Sequence, residues 1–576
     1  MKSERPMRKA PASRPKREVL AAEPIREAPA PNPTHVGSGD PSHPPVADEP
    51  VLEIEDIQGN ILGGFSKDFQ TLLYLQITSA KAFQGWLENF IPLVATSAEV
   101  IAFNRLFKSL RRRRGESSTV KATWVNIAFS YPGFRKMAEV VPDLLKPDFT
   151  DEAFRQGLAA RSEQLGDETA PNKPGNKKTW KIGGPGNEAD VIVIVASDER
   201  DDLQEEVKAI VRSLQGAREM KHGMDHGATL PLSLGLRGHE HFGFLDGVSQ
   251  PGIRGRVSAD PTDVLTPRQN PNERGQGKPG QDLLWPGEFV IGYPGQDPKA
   301  ADISVPGPES KAGPEWARNG SFLVFRRLRQ EVFRLHSFLK ESAQQTGIKI
   351  PSLVGSRLVG RWKSGAPALR TPVKDIPALG GDDCANNNFE FQGATPPIPK
   401  KESDFDCEDH TFPTSPGDPA GQRCPFSGHI RKAYPRDDTS KDNPTVGEVT
   451  TQTHRILRRG IPFGKASKST PERPINDGNV DRGLLFLAYQ TSIARQFEFV
   501  TKNWVNNKNF KDQNSGHDPV IGQNNTPGQN RQREFTVTDA NGKPQRLQTT
   551  TDWVIPVGGG YFFAPSIKGL RKLAGV

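Results

Sequence analysis

An order of apolar segments that occurs twice restricts what this chain of 576 residues can become. Thr71 to Ile77 reads as a buried strand, and 81–94 places Phe83, Trp86, Leu87, Phe90 and Ile91 at helical spacing. Trp124 to Phe129 is a second strand, ended by Tyr131-Pro132-Gly133. Helical stretches follow over 134–145 and 152–165, then a polar, Gly/Pro-rich loop over 167–190. Val191 to Val195 is apolar without a break, as in a strand covered on both faces. An amphipathic helix over 201–214 comes next, and a strand is expected to return at 239–245. The second half repeats this order. Strands are expected at 322–326, 455–457 and 484–489, helices at 331–345 and 492–506, and a closing strand between 553 and 563. Two successive βαββαβ units predict an α+β fold of two ferredoxin-like modules, each an antiparallel sheet with helices on one side. The Gly/Pro-rich passage over 364–427 is too long for an ordinary connection and marks a functional or disordered insertion.

Composition removes several alternatives. No apolar run approaches the roughly 18 to 20 residues of a membrane span. The net charge of +8 is small for this length and is no footprint of nucleic-acid binding. Its sharpest basic cluster, Arg111 to Arg114, reads as a solvated loop. Cys384, Cys407 and Cys424 are odd in number and widely spaced, so free thiols in a reducing compartment are expected. Residues 1–54 lack the apolar core of a secretory signal and read as a disordered tail, which points to the cytoplasm.

Three segments could carry chemistry. The first, Gly243-Phe244-Leu245-Asp246-Gly247, sets one carboxylate between glycines, which by itself suits an ordinary turn. His429 lies in a second, Cys424-Pro425-Phe426-Ser427-Gly428-His429-Ile430-Arg431, where a surface or capping role also fits. The third, Arg458-Arg459-Gly460-Ile461-Pro462-Phe463-Gly464, ends a strand with two arginines that could equally mark a surface edge.

Taken together and in this order, the three resemble segments of the dye-decolourising haem peroxidases. Asp246 matches the acid-base aspartate of that family's G-x-x-D-G motif, His429 its axial iron ligand, and Arg458 rather than Arg459 its distal arginine. Asp56 to Leu62, Val359 to Gly365 and Gly560 to Ser566 match as well, so the resemblance covers nearly the whole chain after the tail. The long passage before His429 suggests the larger members, while Tyr434 replaces a smaller polar residue. The resemblance implies two ferredoxin-like halves of the dimeric α+β barrel type. Residues 55–285 would carry the distal Asp and 286–576 would hold one haem b. It also implies reduction of hydrogen peroxide at the expense of organic reductants such as dyes and phenols, with no nucleic acid or membrane as partner; an oligomer is left open.

Further roles follow from the same resemblance. The proximal histidine needs an acceptor for its second ring nitrogen, for which Glu498 is the candidate, unless it is a solvent-facing carboxylate. Arg436 or Arg431 would pair a haem propionate, or be surface charges. Trp504 and Tyr561 are candidate electron relays, or core aromatics. Aspartates ionise near about 3.9 and imidazoles near about 6.5. A distal carboxylate therefore implies activity well below neutrality, with an optimum around pH 4 to 5; a pH–rate profile peaking near 8 would exclude that base. A haem-handling protein and a non-enzymatic scaffold are the competing functions. Peroxide-dependent turnover separates the first of these, and haem binding the second.

Overall fold

In the computed structural model the described residues are 49–114, 120–268, 275–300, 303–398, 411–439 and 447–576. Nine strands form one antiparallel sheet: β1 (Phe69–Ile77), β2 (Thr123–Phe129), β3 (Val191–Ser197), β4 (Ala217–Ala228), β5 (Ser321–Gln330), β6 (Leu457–Arg458), β7 (Ile461–Phe463), β8 (Gly483–Gln490) and β9 (Val554–Ala564). Their order is β6-β8-β7-β4-β1-β3-β2-β9-β5, and a further pairing of β5 with β8 closes the ring. The two halves therefore share one barrel, joined at Phe463↔Gly227 and Phe129↔Phe563. β1, β3, β5 and β8 are paired along both edges, whereas β2, β4 and β9 have one full-length partner each and meet across the seams at single residue pairs.

Side-chain alternation sorts the core into two layers. Along β3, Ile192 and Ile194 point into the barrel with Leu72, Tyr74, Phe325, Leu485 and Leu487. Val191, Val193 and Val195 point outward, against Phe83 and Leu87 of the helix Ala80–Phe90 and Leu203, Val207 and Ile210 of the helix Arg200–Ser213. Coverage on both faces is why this strand has no polar alternation.

The structure corrects several expectations. The fourth strand of the first half is Ala217–Ala228, not 239–245, which is an irregular loop with one bridge from His239 to Leu245. Its sequence, AREMKHGMDHGA, hides the strand because most of its side chains are not buried. Residues 492–506 hold only a short α-turn, Phe497–Phe499, and a π-helical turn, Val500–Val505. The expected helix at 152–165 is broken at Gly157, whose φ is +79°. Arg111 to Arg114 end the helix Ser97–Arg114 instead of lying in a loop. Cys384 is disulfide-bonded, against the expectation of free thiols; Cys424 is free and buried, and Cys407 lies outside the described residues. Of the expected tail, 1–48 lie outside the described residues. Glu49 is already buried and ion-paired with Arg254 and Arg268, so order begins before residue 54. Among the described residues, no helix is long and apolar enough to cross a membrane.

Candidate active site

The Asp246 loop is built to hold its shape. Glu240 accepts hydrogen bonds from the backbone N–H of Phe242 (2.8 Å) and Phe244 (2.9 Å), while Asp246 N–H donates to Gly238 O (3.0 Å). Phe242 and Phe244 anchor the loop in an apolar cluster with Leu335, Leu339 and Val354. Gly243 and Gly247 take φ of +88° and +78°, values that suit glycine and let the chain turn on either side of the carboxylate. Asp246 Oδ1 accepts from Gly247 N–H (2.6 Å) and from Arg458 Nη1 (2.9 Å).

Arg458 ends the short strand β6, which pairs with Tyr489 and Ala488 of β8. The side-chain amide of Gln250 bonds both backbone groups of Arg458, accepting from its N–H (3.3 Å) and donating to its carbonyl (3.0 Å). Nη2 donates to Ser249 O (2.9 Å), so the guanidinium is fixed across the Asp246 loop. Arg459 turns away and donates to the carbonyls of Asn60, Ile61 and Leu62.

His429 opens the short helix His429–Ala433, with Gly428 before it. Its Nδ1 lies 2.7 Å from Asp518 Oδ2. Asp518 is fully buried, and its Oδ1 accepts from the N–H of Val520 (2.8 Å) and Ile521 (3.0 Å). Burial alone would raise the Asp518 carboxyl, but the neighbouring His429 and these N–H groups outweigh it and hold it below the usual range. Burial opposes a charge on His429 too, yet Asp518 lifts the imidazole above its ordinary value. With Asp518 as acceptor, Nδ1 carries a proton in either charge state, so in the neutral imidazole the lone pair lies on Nε2.

His429, Asp246 and Arg458 line one cavity of about 360 Å³. It lies against β5, β8 and β9, whose Leu328, Leu484, Phe486 and Val554 give it apolar walls, together with Val359 and Ile430. Arg361, Arg436 and Arg455 also reach it.

The sequence places this arrangement among known proteins. Residues 56–225 match the family model of the DyP dimeric alpha+beta barrel domain, and residues 419–518 that of the Dyp-type peroxidase C-terminal region. Dye-decolorizing peroxidase msp1 of Mycetinis scorodonius is 32% identical over 541 residues, spanning 91% of this chain and 88% of that relative. The chain belongs to the dye-decolourising peroxidase family. It is accordingly an oxidoreductase that acts on peroxide. Solved structures agree with this. A point variant of the enzyme from Pleurotus ostreatus superposes with a TM-score of 0.70 at 29% identity, over 91% of this chain and 99% of that one. A dye-decolorizing peroxidase in complex with 2,6-dimethoxyphenol gives 0.64 at 28% identity, over 91% and 100%.

Within this dye-decolourising peroxidase, two expected contacts are corrected. The partner of His429 is Asp518, not Glu498. Glu498 is buried elsewhere, accepting from Arg161 Nε (2.6 Å) and Nη2 (2.5 Å) and from the Tyr561 hydroxyl (3.0 Å). Arg431 does not line the cavity: it is buried between Phe391 and Phe426 and pairs with Asp438 through Nε (2.7 Å) and Nη2 (2.9 Å). A guanidinium so fully paired has no donor to spare for a ligand. Arg436 does line the cavity, donating to Phe389 O (3.0 Å) and Asn387 Oδ1 (2.6 Å). Trp504 and Tyr561 are 3% and 2% exposed, so neither is a surface residue. Asp518, Gln250 and Arg361 were not assigned roles from sequence. Asp518 sits in a polar loop without periodicity, and no spacing rule links it to a histidine 89 residues earlier.

Proposed function

We propose that the cavity binds one haem b per chain through His429 Nε2, and that the enzyme uses hydrogen peroxide to oxidise organic reductants such as phenols and dyes. The observation that carries this reading is a histidine with a free ring nitrogen, oriented by a buried carboxylate, in the same cavity as a carboxylate–arginine pair. The donor set suits the cofactor. One neutral imidazole nitrogen is presented for iron, the walls are apolar as a porphyrin requires, and Arg436 offers a cation for a propionate. In this reading residues 55–285 contribute the acid-base carboxylate and residues 286–576 hold the cofactor.

Haem would supply the redox-active iron that the reaction needs. The chain's own groups handle the protons. Asp246 Oδ1 is held by Arg458 and Gly247, which turns Oδ2 to proton transfer. Oδ2 takes a proton from one oxygen of hydrogen peroxide and returns it to the other. The Arg458 guanidinium stabilises the negative charge growing on the departing oxygen. Asp518 keeps the His429 proton on Nδ1 and makes the imidazole a stronger donor. Asp518→Asn is therefore expected to weaken haem affinity or turnover by about 10- to 100-fold, measured by haem titration and steady-state oxidation of a phenol.

An aromatic path leads away from the cavity. His454, which lines it, stacks on Phe499 at 3.8 Å and meets Trp504 edge-on at 5.2 Å, and Trp504 stacks on Phe510 at 5.3 Å. Trp504 serves here as an inner relay. Tyr561, bonded to Glu498 in the core, fits a structural role better. The disulfide at Cys384 suits an oxidising compartment better than the cytoplasm expected from the sequence.

The deciding experiment is an absorption spectrum of the haem-reconstituted protein beside His429→Ala, before and after peroxide. Loss or displacement of the Soret band in the variant supports ligation by His429. Haem bound without any response to peroxide would favour haem handling, and no haem bound at all would end the proposal.

A further inference from the structure

The helix Ser97–Arg114 outruns the body it packs on. Its first turns are covered, with Val100 at 0% and Ile101 at 9% exposure. Phe103 meets Trp124 edge-on at 5.6 Å, with the Lys67 ammonium 4.2 Å from its centroid. Arg105 Nη2 donates to Asp263 Oδ1 (2.8 Å) and ties down the middle of the helix. Beyond that point apolar residues come to the surface: Leu106 is 51% exposed and Phe107 36%, and Leu110 is partly exposed. At about 3.6 residues per turn, Phe103, Leu106, Phe107 and Leu110 fall on one face. The stripe that starts in the core therefore runs on into solvent.

The same turns are strongly basic. Between Val100 and Arg114 there are six basic residues, Arg105, Lys108 and Arg111 to Arg114, and no acidic one. By helical register, positions 111 and 113 flank the apolar stripe on its two sides, while 105, 108 and 112 lie on the opposite face. The arginine run is thus the end of an amphipathic helix and not a solvated loop. A single exposed leucine calls for no explanation. An apolar stripe at helical spacing with a basic rim is the pattern of a helix lying in a membrane interface. Arginine stems there lie along apolar surface while their heads reach the phosphates.

Charge and apolarity together select the occupant. A nucleic-acid backbone would engage the arginines and have no use for Leu106 and Phe107. A second copy of this helix would bring like charges together. An anionic phospholipid surface answers both features, because it offers phosphates to the guanidiniums and an acyl boundary to the stripe. We propose that the C-terminal half of the helix Ser97–Arg114 docks the enzyme on an anionic phospholipid membrane, along its surface and without crossing it. The expectation of no membrane partner is revised accordingly. None of these residues lines the cavity, so the inference stands apart from the haem reading.

The test is flotation of the full chain with vesicles of phosphatidylcholine alone and of equal parts phosphatidylcholine and phosphatidylglycerol. The wild type is expected to float with the mixed vesicles only, and less so as added salt screens the charges. Arg112→Gln with Arg113→Gln should weaken binding by at least about tenfold, since each basic residue near such a surface contributes about fivefold. Leu106→Ser with Phe107→Ser keeps every charge and should weaken binding by a similar factor. Unchanged circular dichroism checks that both variants fold. The proposal is overturned if the wild type does not float with the mixed vesicles, if it floats equally with both compositions, or if either variant floats undiminished. Retention on duplex DNA in place of vesicles would assign the arginines to nucleic acid. A dimer in place of vesicle binding, lost in Leu106→Ser with Phe107→Ser, would assign the stripe to a second copy. Either result overturns the proposal too.

Discussion

Asp246→Asn is expected to slow peroxide-dependent oxidation of a phenol by about 10²- to 10⁴-fold, the usual contribution of a positioned acid-base group. The amide is nearly isosteric, and its oxygen can still accept from Arg458 Nη1 and Gly247 N–H as Asp246 Oδ1 does. What it loses is an oxygen able to take and return a proton. The loss should therefore fall on the peroxide step and spare binding of the organic reductant. Stopped-flow measurement of the reaction with hydrogen peroxide, at fixed haem content, isolates that step. A loss smaller than tenfold would move the role elsewhere. Glu240 would be the next group to test, because it lines the same cavity and burial raises its carboxyl to about 7.

Glu498→Ala should act on stability and not on chemistry. Its carboxylate is fully buried and answers both Arg161 and the Tyr561 hydroxyl, with Lys502 Nζ at 3.3 Å. Removing it leaves the Arg161 guanidinium, 11% exposed, with its main counter-charge gone and the tyrosine hydroxyl without an acceptor. Breaking a buried pair from one side costs about 3 to 5 kcal/mol. Denaturant unfolding of the variant should show a loss of that size, with activity per folded molecule close to wild type. Glu498→Gln, which keeps the shape and one acceptor, should cost less. Full stability with lost activity would instead return Glu498 to the haem side of the protein.

The halves of the barrel were legible because their strands are apolar on both faces: Val191 to Val195 and Leu484 to Tyr489 announce themselves. The strand Ala217–Ala228 was not, because it buries few side chains and its alternation is broken by two glycines and two histidines. The reacting groups Asp246, His429 and Arg458 could be picked out because each sits in a short segment whose glycines and prolines fix the backbone around it. Their supports could not. Asp518 and Gln250 act through hydrogen bonds that reach across 89 and 208 residues, and no local pattern encodes a contact made only after the chain has closed. Glu498 misled for a related reason. A carboxylate on a segment near the cavity looks available until its partner, Arg161, 337 residues away, is in place.

The barrel joins its halves at Phe463↔Gly227 and Phe129↔Phe563, and the cavity takes Asp246 from one half and His429 and Arg458 from the other. Neither half alone can present all three. A ligand that fills the cavity thus needs the closed barrel, and by mass action it stabilises the folded chain by RT ln(1 + [L]/Kd). Occupancy and closure are coupled quantities, so the ligand is a clasp on the fold as well as the agent of the reaction.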